Sequence, residues 1–398
     1  MLTRYITPFL IILAVITYSC GDNSGKYDNN PQSLPSIPEE FRTACKDWLA
    51  DNGRDPGDYI IDLFLDHQVV LLGEFHRIKH DLLFLKELMP RLYQEDIRVF
   101  ATEFARRSDQ NLVDSLINGQ EWDEKLGRHI IFSQFVAWGF REYVDILKTA
   151  WKINRDLPDG KKPLRIIALN HIMDFSHFKS EDDWNNPEKW KLVYGGQTEE
   201  DWAKPVLAAL ENGEKILVHC GIRHAFTGYR QPRVEGGEFI EFGVKRMGNY
   251  LKDAIGSRAV TVFLHAPWNK QEGYGAGFTY PADGIIDAYM LRSPEGPYPV
   301  GFNTADSPFS EVELNNSVYC HGYEKFTISD FCDGWIYMKP LSEYQPVTYI
   351  QDWINDSNLE MARQNAMNPG WRNLSVEQLN NACMSYQQDF KRFFAGLK

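Results

Sequence analysis

The sequence has 398 residues, 43% of them hydrophobic and 14% aromatic, which is enough apolar material for one large core or two ordinary ones. A formal charge of −13 argues against nucleic acid or anionic lipid as partners and leaves a small-molecule or peptide substrate open. Six cysteines, scattered and without a C-x-x-C, do not make a disulfide framework, although one bridge among the later ones is compatible with an oxidising compartment.

The chain starts with "YITPFLIILAVITY" (5–18), an apolar run of signal-peptide length preceded by a single charge, Arg4. It ends at Ser19 and Cys20, a pattern that resembles the lipobox of bacterial lipoproteins and implies lipidation of Cys20. A plain secretory signal or an uncleaved anchor is the alternative, and all three put the rest of the chain outside the cytoplasm, in a cell envelope. Residues 20–38 are polar and proline-punctuated and read as a flexible tether, so the membrane is met through N-terminal lipid only. From residue 39 to 398 no further linker is visible, which predicts one elaborated domain.

Five short apolar runs then read as strands covered on both faces: "VVLLG" (69–73), "RVFATEF" (98–104), "RIIALN" (165–170), "KILVHCG" (215–221) and "AVTVFLHA" (259–266). Helical spacing separates them. It places Leu82, Leu85, Leu88 and Leu92 on one face, with Pro90 expected to kink or shorten that helix, and Tyr143, Leu147, Ala150 and Ile153 on another. A third helix is expected over 199–213, and a helical insertion around 121–140. Residues 172–198 read as a long aromatic loop, and the last 120 residues as an irregular extension with strand-like "GWIYMKPL" and a final helix after Ser375. The alternation predicts an α/β fold, a mostly parallel central sheet flanked by helices.

In such sheets, sites form where loops leave the carboxyl ends of the strands. Those ends carry Glu74 and His76, Glu103, Asn170 and His171, His224, and His265, so four of five bear or closely precede one of only ten histidines. Each has a blander reading: Glu103 salt-bridged to Arg106 or Arg107, His265 a hydrogen-bonded core histidine, Arg223 a solvated loop arginine. His80 lies four residues after His76 and shares its face if a helix starts promptly, yet without the glutamate of H-E-x-x-H the pair is not a zincin motif. No G-x-S-x-G elbow, P-loop or dinucleotide fingerprint is present, and His129, His177, His219 and His321 have no comparable context.

"GEFH" (73–76) and "GIRH" (221–224) are both G-x-x-H directly after an apolar strand. This resembles the superfamily of Tiki proteases, erythromycin esterases, TraB proteins and ChaN-like haem-binding lipoproteins. Those share paired G-x-x-H motifs and a glutamate after the second strand, where "ATEFA" supplies Glu103. The G-E-x-H form is closest to ChaN; the esterase branch carries one more residue before its histidine. The resemblance covers roughly 60–265. It implies an EreA/ChaN-like fold and either metal-assisted ester or amide hydrolysis or haem binding for uptake. Two imidazoles and two carboxylates suit a divalent metal such as Zn, Mn or Co, held by His76, His224 and Glu103. Without metal, Glu74, His76, Glu103 and His224 can supply general acid–base catalysis, with His80, His171 and Arg223 on the substrate and Arg223 holding an oxyanion or carboxylate. Haem would take a histidine or tyrosine axial ligand and an apolar slot.

Overall fold

The computed structural model describes residues 32–274, 276–293 and 298–393. The expected signal, Cys20 and most of the expected tether lie outside the described residues. The remainder of that tether lies against the molecule: Gln32 Nε2 donates to Phe278 O (2.8 Å) and Ile37 is buried.

Seven strands form one sheet: β1 Val69–Glu74, β2 Val99–Arg106, β3 Arg165–Asn170, β4 Ile216–Gly221, β5 Ala259–Leu264, β6 Val300–Asn303 and β7 Gly334–Tyr337. Their order is β6-β7-β5-β1-β4-β2-β3, parallel throughout except for β6 at one edge. The chain runs outward from β1 to β2 and β3, then returns to place β4 between β1 and β2, and continues past β1 to β5. That reversal is a topological switch point, and a crevice opens there beyond the carboxyl ends of β1, β4 and β2.

The strands lack clean apolar–polar alternation because both faces are covered. Val70 and Leu72 point into one core and Val69 and Leu71 into the other. The first core takes the helices Lys79–Gln94, Gln110–Ile117, Glu124–Gln134 and Arg141–Arg155; the second takes Glu39–Asn52, Glu200–Glu211 and Met247–Ile255. Among the described residues no helix is long and apolar enough to cross a membrane.

Two expectations are corrected. The helix Lys79–Gln94 continues through Pro90, because its buried stripe of Leu82, Leu85, Leu88, Met89 and Leu92 outweighs a helix-interior proline cost of about 3 kcal/mol. Residues 172–198 are not a bare loop: they hold short 3-10 turns at Phe175–His177 and Glu181–Asn185 and a helix at Pro187–Val193 that buries Trp190 and Val193. The extension after residue 340 is tied to the turn that follows β1 and to the link between the helices Glu124–Gln134 and Arg141–Arg155: Lys79 N donates to Gln345 O (3.0 Å), Val347 N to Arg77 O (3.1 Å) and Ile350 N to Gly139 O (2.8 Å). The five cysteines of the described residues are free thiols.

Candidate functional site

The two glycines of the paired motifs let each motif pack on the other. A Cβ on Gly221 would stand 2.7 Å from His76 Cε1, and one on Gly73 would stand 2.9 Å from Ile222 Cα. Both lie far inside contact distance, so only glycine lets β1 and β4 bring their following loops together. The chain then turns sharply after His76, where Arg77 adopts a left-handed φ of +73°. Tyr143 OH accepts from Arg77 N (2.9 Å) and Arg77 O accepts from Val347 N, so this backbone is held at both ends.

Glu74 is the anchor. Its Oε1 accepts from His76 Nδ1 (2.8 Å) and Tyr143 OH (2.7 Å), and its Oε2 accepts from His219 Nε2 (2.7 Å). Burial alone would raise its pKa, but the His219 charge and the bonds from His219 and His76 overcome this and hold Glu74 well below the ordinary carboxylate range. With Nδ1 committed to a carboxylate, His76 presents Nε2 to the crevice. Burial opposes its imidazolium; the Glu103 charge and the bond to Glu74 prevail and lift its pKa above the usual histidine value.

His224 repeats the scheme from the other side. Its Nδ1 stands 2.9 Å from Glu199 Oε2, and Glu199 is also paired with Arg246 and accepts from Met247 N (3.0 Å). Burial raises the Glu199 pKa, but the charges of His224 and Arg246 pull it well below normal. The indole of Trp202 stacks on the His224 ring at 4.6 Å and 24°. Glu103 sits between the two imidazoles: Oε1 is 3.8 Å from His76 Nε2 and 3.6 Å from His224 Nε2, and Oε2 accepts from Gly221 N (2.7 Å). It occupies an irregular part of β2, where the pairing with β3 shifts register between Thr102 and Arg106. The side chains of His76 and His224 stay 13% and 19% exposed, so both rings can be reached from the crevice.

Above them lies a cavity of about 410 Å³. Its walls are largely aromatic, from Phe104, Phe135, Trp138, Trp190, Tyr194 and Trp202, and Lys191, Arg223, Lys245 and Arg246 also line it. His76, Glu103, His171, Arg223 and His224 all line it, as do residues of the segment 172–198. Glu74 lies directly behind His76. His171 has no catalytic partner in this arrangement: its Nε2 meets Thr198 O at 3.0 Å, which makes it part of the wall.

His80 is elsewhere. It packs with Asp81 and the Tyr344 ring (4.3 Å), burial pushes its pKa down to about 3, and it does not line the cavity. The expectation that it shares the His76 face toward substrate is therefore corrected: the Arg77 turn places His80 inside the helix start, on a buried side. His265 is the expected core histidine, paired with Asp287 at 3.1 Å. Sequence reasoning missed His219, Tyr143, Glu199 and Arg246. His219 alone had a local signal, since strand alternation puts it on the same face as Leu217, the face on which Glu74 follows Leu72 in β1.

The donor set His76, His224 and Glu103 has the right chemistry for a divalent metal, each imidazole backed by a carboxylate as metal-binding histidines commonly are. Among the described residues no group of three His, Cys, Asp or Glu is placed to hold an ion.

No protein-family model and no curated protein matches the sequence. Several solved structures do match in shape. A protein from Bacillus cereus aligns with a TM-score of 0.51 at 11% identity, over 80% of this chain and all of its own. An erythromycin esterase mutant, EreC in its open conformation, aligns at TM-score 0.42 and 10% identity over 70% of this chain and 92% of its own. ChaN of Campylobacter jejuni, with cofacial haem binding, aligns at 0.34 and 14% over 54% of this chain and 88% of its own. These are likenesses of fold. The chain has the mixed α/β architecture, with a seven-stranded, mostly parallel sheet flanked by helices, that the paired motifs implied.

Proposed function

We propose that this protein is a hydrolase that cleaves an ester or amide with the imidazole of His76 as general base. One observation carries the reading: Glu74 fixes His76 Nδ1 and leaves Nε2 facing an aromatic-walled cavity beside a second carboxylate-backed imidazole, His224. Water held at His76 Nε2 attacks the substrate carbonyl carbon and gives its proton to that nitrogen. The tetrahedral intermediate collapses, the bond to the leaving group breaks, and protonated His224 supplies the proton that group needs. The acid product releases its own proton, which restores His224, and His76 returns its proton to solvent. Glu103, 3.6 and 3.8 Å from the two Nε2 atoms, stabilises whichever ring is charged.

The test is release of p-nitrophenol from short p-nitrophenyl esters by the purified full-length chain. His76→Ala should lower kcat roughly 100- to 10,000-fold with the circular dichroism unchanged; equal rates in both proteins would sink the proposal. Elemental analysis of the purified protein decides whether a divalent metal is present.

The second reading is a haem- or iron-binding uptake protein, favoured by the aromatic cavity walls with two histidines at their base. It requires a Soret band on adding haemin that is lost in His76→Ala or His224→Ala. The apolar run 5–18 ending at Cys20 supports a lipid-anchored, extracytoplasmic location for either activity.

A further inference from the structure

The cavity inverts the charge of the molecule that surrounds it. The chain carries 42 Lys and Arg against 55 Asp and Glu, yet the charged residues lining this cavity, histidines aside, are Lys191, Arg223, Lys245 and Arg246 against Glu103 and Glu199. Both acids are already committed. Glu103 serves Gly221 N and the two imidazoles, and Glu199 is shared among His224, Arg246 and Met247 N. The pairs Lys191–Glu188 and Lys245–Asp253 lie at the surface, where water and salt screen them to little net worth. Arg223 donates from Nε to the neutral amide oxygen of Gln231 (3.1 Å). Arg223 adjoins His224 in the chain and Arg246 shares Glu199 with it, so both guanidinium groups lie on the His224 side of the cavity.

On the hydrolase reading of this site, we infer that the substrate is anionic: an apolar or aromatic body that carries a carboxylate or phosphate, with the anion on the Arg223–Arg246 side and the scissile carbonyl over His76. The aromatic walls take the body. The cationic side takes a charge that the rest of this acidic surface would repel, and guanidinium forks match either oxyanion. A neutral ester of the same shape would make no charge-assisted contact there.

The experiment is calorimetric titration of the full-length chain with 2-naphthoate, 2-naphthyl phosphate and the neutral 2-naphthamide. At least one anion should bind roughly ten- to a hundred-fold tighter than the amide, the worth of a charge-assisted contact. The tighter of the two identifies carboxylate or phosphate as the group recognised. The preference should shrink about tenfold in Arg223→Gln and by a smaller factor in the more exposed Lys245→Gln, which guards against a folding defect in the first variant. An amide that binds as tightly as both anions, or a preference unmoved in both variants, overturns the inference. Rates on p-nitrophenyl hemiglutarate and p-nitrophenyl butyrate separate it from the hydrolase reading. Anion-selective binding with neither ester cleaved leaves the anion site standing and the hydrolase failed. Cleavage of both esters at equal kcat/KM, with no binding preference, does the reverse.

Discussion

Glu74 organises the site through three hydrogen bonds in a fully buried position, so its charge has no substitute in water. Glu74→Gln keeps the shape but turns one acceptor oxygen into a donor facing a donor. The expected outcome is a loss of esterase kcat comparable to His76→Ala, roughly 100-fold or more, with far-UV dichroism retained. Because the His76 pKa is lifted above the ordinary histidine value, the base is neutral only at higher pH. The rate should therefore rise with pH through a midpoint above about 6.5, measurable as the acid limb of kcat/KM. Asp81 shows the opposite situation, a buried carboxyl with both oxygens lacking hydrogen-bond partners. Burial, then the Glu74 charge, raises its pKa well above normal against the weaker pull of Lys339. A folded pKa raised above the unfolded value of about 3.9 means that Asp81 costs stability once pH exceeds about 3.9 and costs nothing below it. Asp81→Asn should accordingly raise the melting temperature at pH 7, with the gain vanishing as pH falls below about 4. No gain at neutral pH would show that the carboxylate finds a partner there.

Strands and turns decide whether those side chains meet. β1 and β4 pair in register from Val69 with Ile216 to Glu74 with Gly221, and this register puts the G-x-x-H turns side by side. Gly221→Ala would insert a methyl 2.7 Å from His76 Cε1, and β4 backbone, held by β1 and β2, has little room to yield. The ring must move instead. A displacement of about 1 Å costs on the order of 100-fold in rate, so this variant should fold, melt in one transition and lose most of its activity. Much of this was legible: apolar runs with a glycine at their ends marked β1 and β4 nearly to the residue. The continuation of the helix through Pro90 and the short helix at Pro187–Val193 were not, because local propensity disfavours what tertiary burial of Leu88, Leu92, Trp190 and Val193 makes favourable.

At the scale of the whole molecule, the segment after residue 340 behaves as a brace for the site. Trp353 is buried against Gly139, where a Cβ would meet its ring at 2.6 Å, and its Nε1 donates to Val136 O (2.6 Å), beside the cavity residues Phe135 and Trp138. Trp353→Ala should cost roughly 3–5 kcal/mol by denaturant unfolding and reduce activity through the slackened wall. Unchanged stability would mean the segment is only an appendage. The sequence by itself determined the α/β alternation, the five strands β1 to β5, and the polar residues at their ends: Glu74, His76, Glu103 and His224, each carried by a short local pattern. Tertiary structure alone decided that His219, 145 residues from Glu74, shares its carboxylate, that Tyr143 and Glu199 back the site, and that His80 is excluded from it. The physical reason is that periodicity records which face of an element is buried, whereas these contacts depend on strand order. Only the return of β4 between β1 and β2 brings the three carboxylates and three imidazoles within hydrogen-bonding and ion-pairing range.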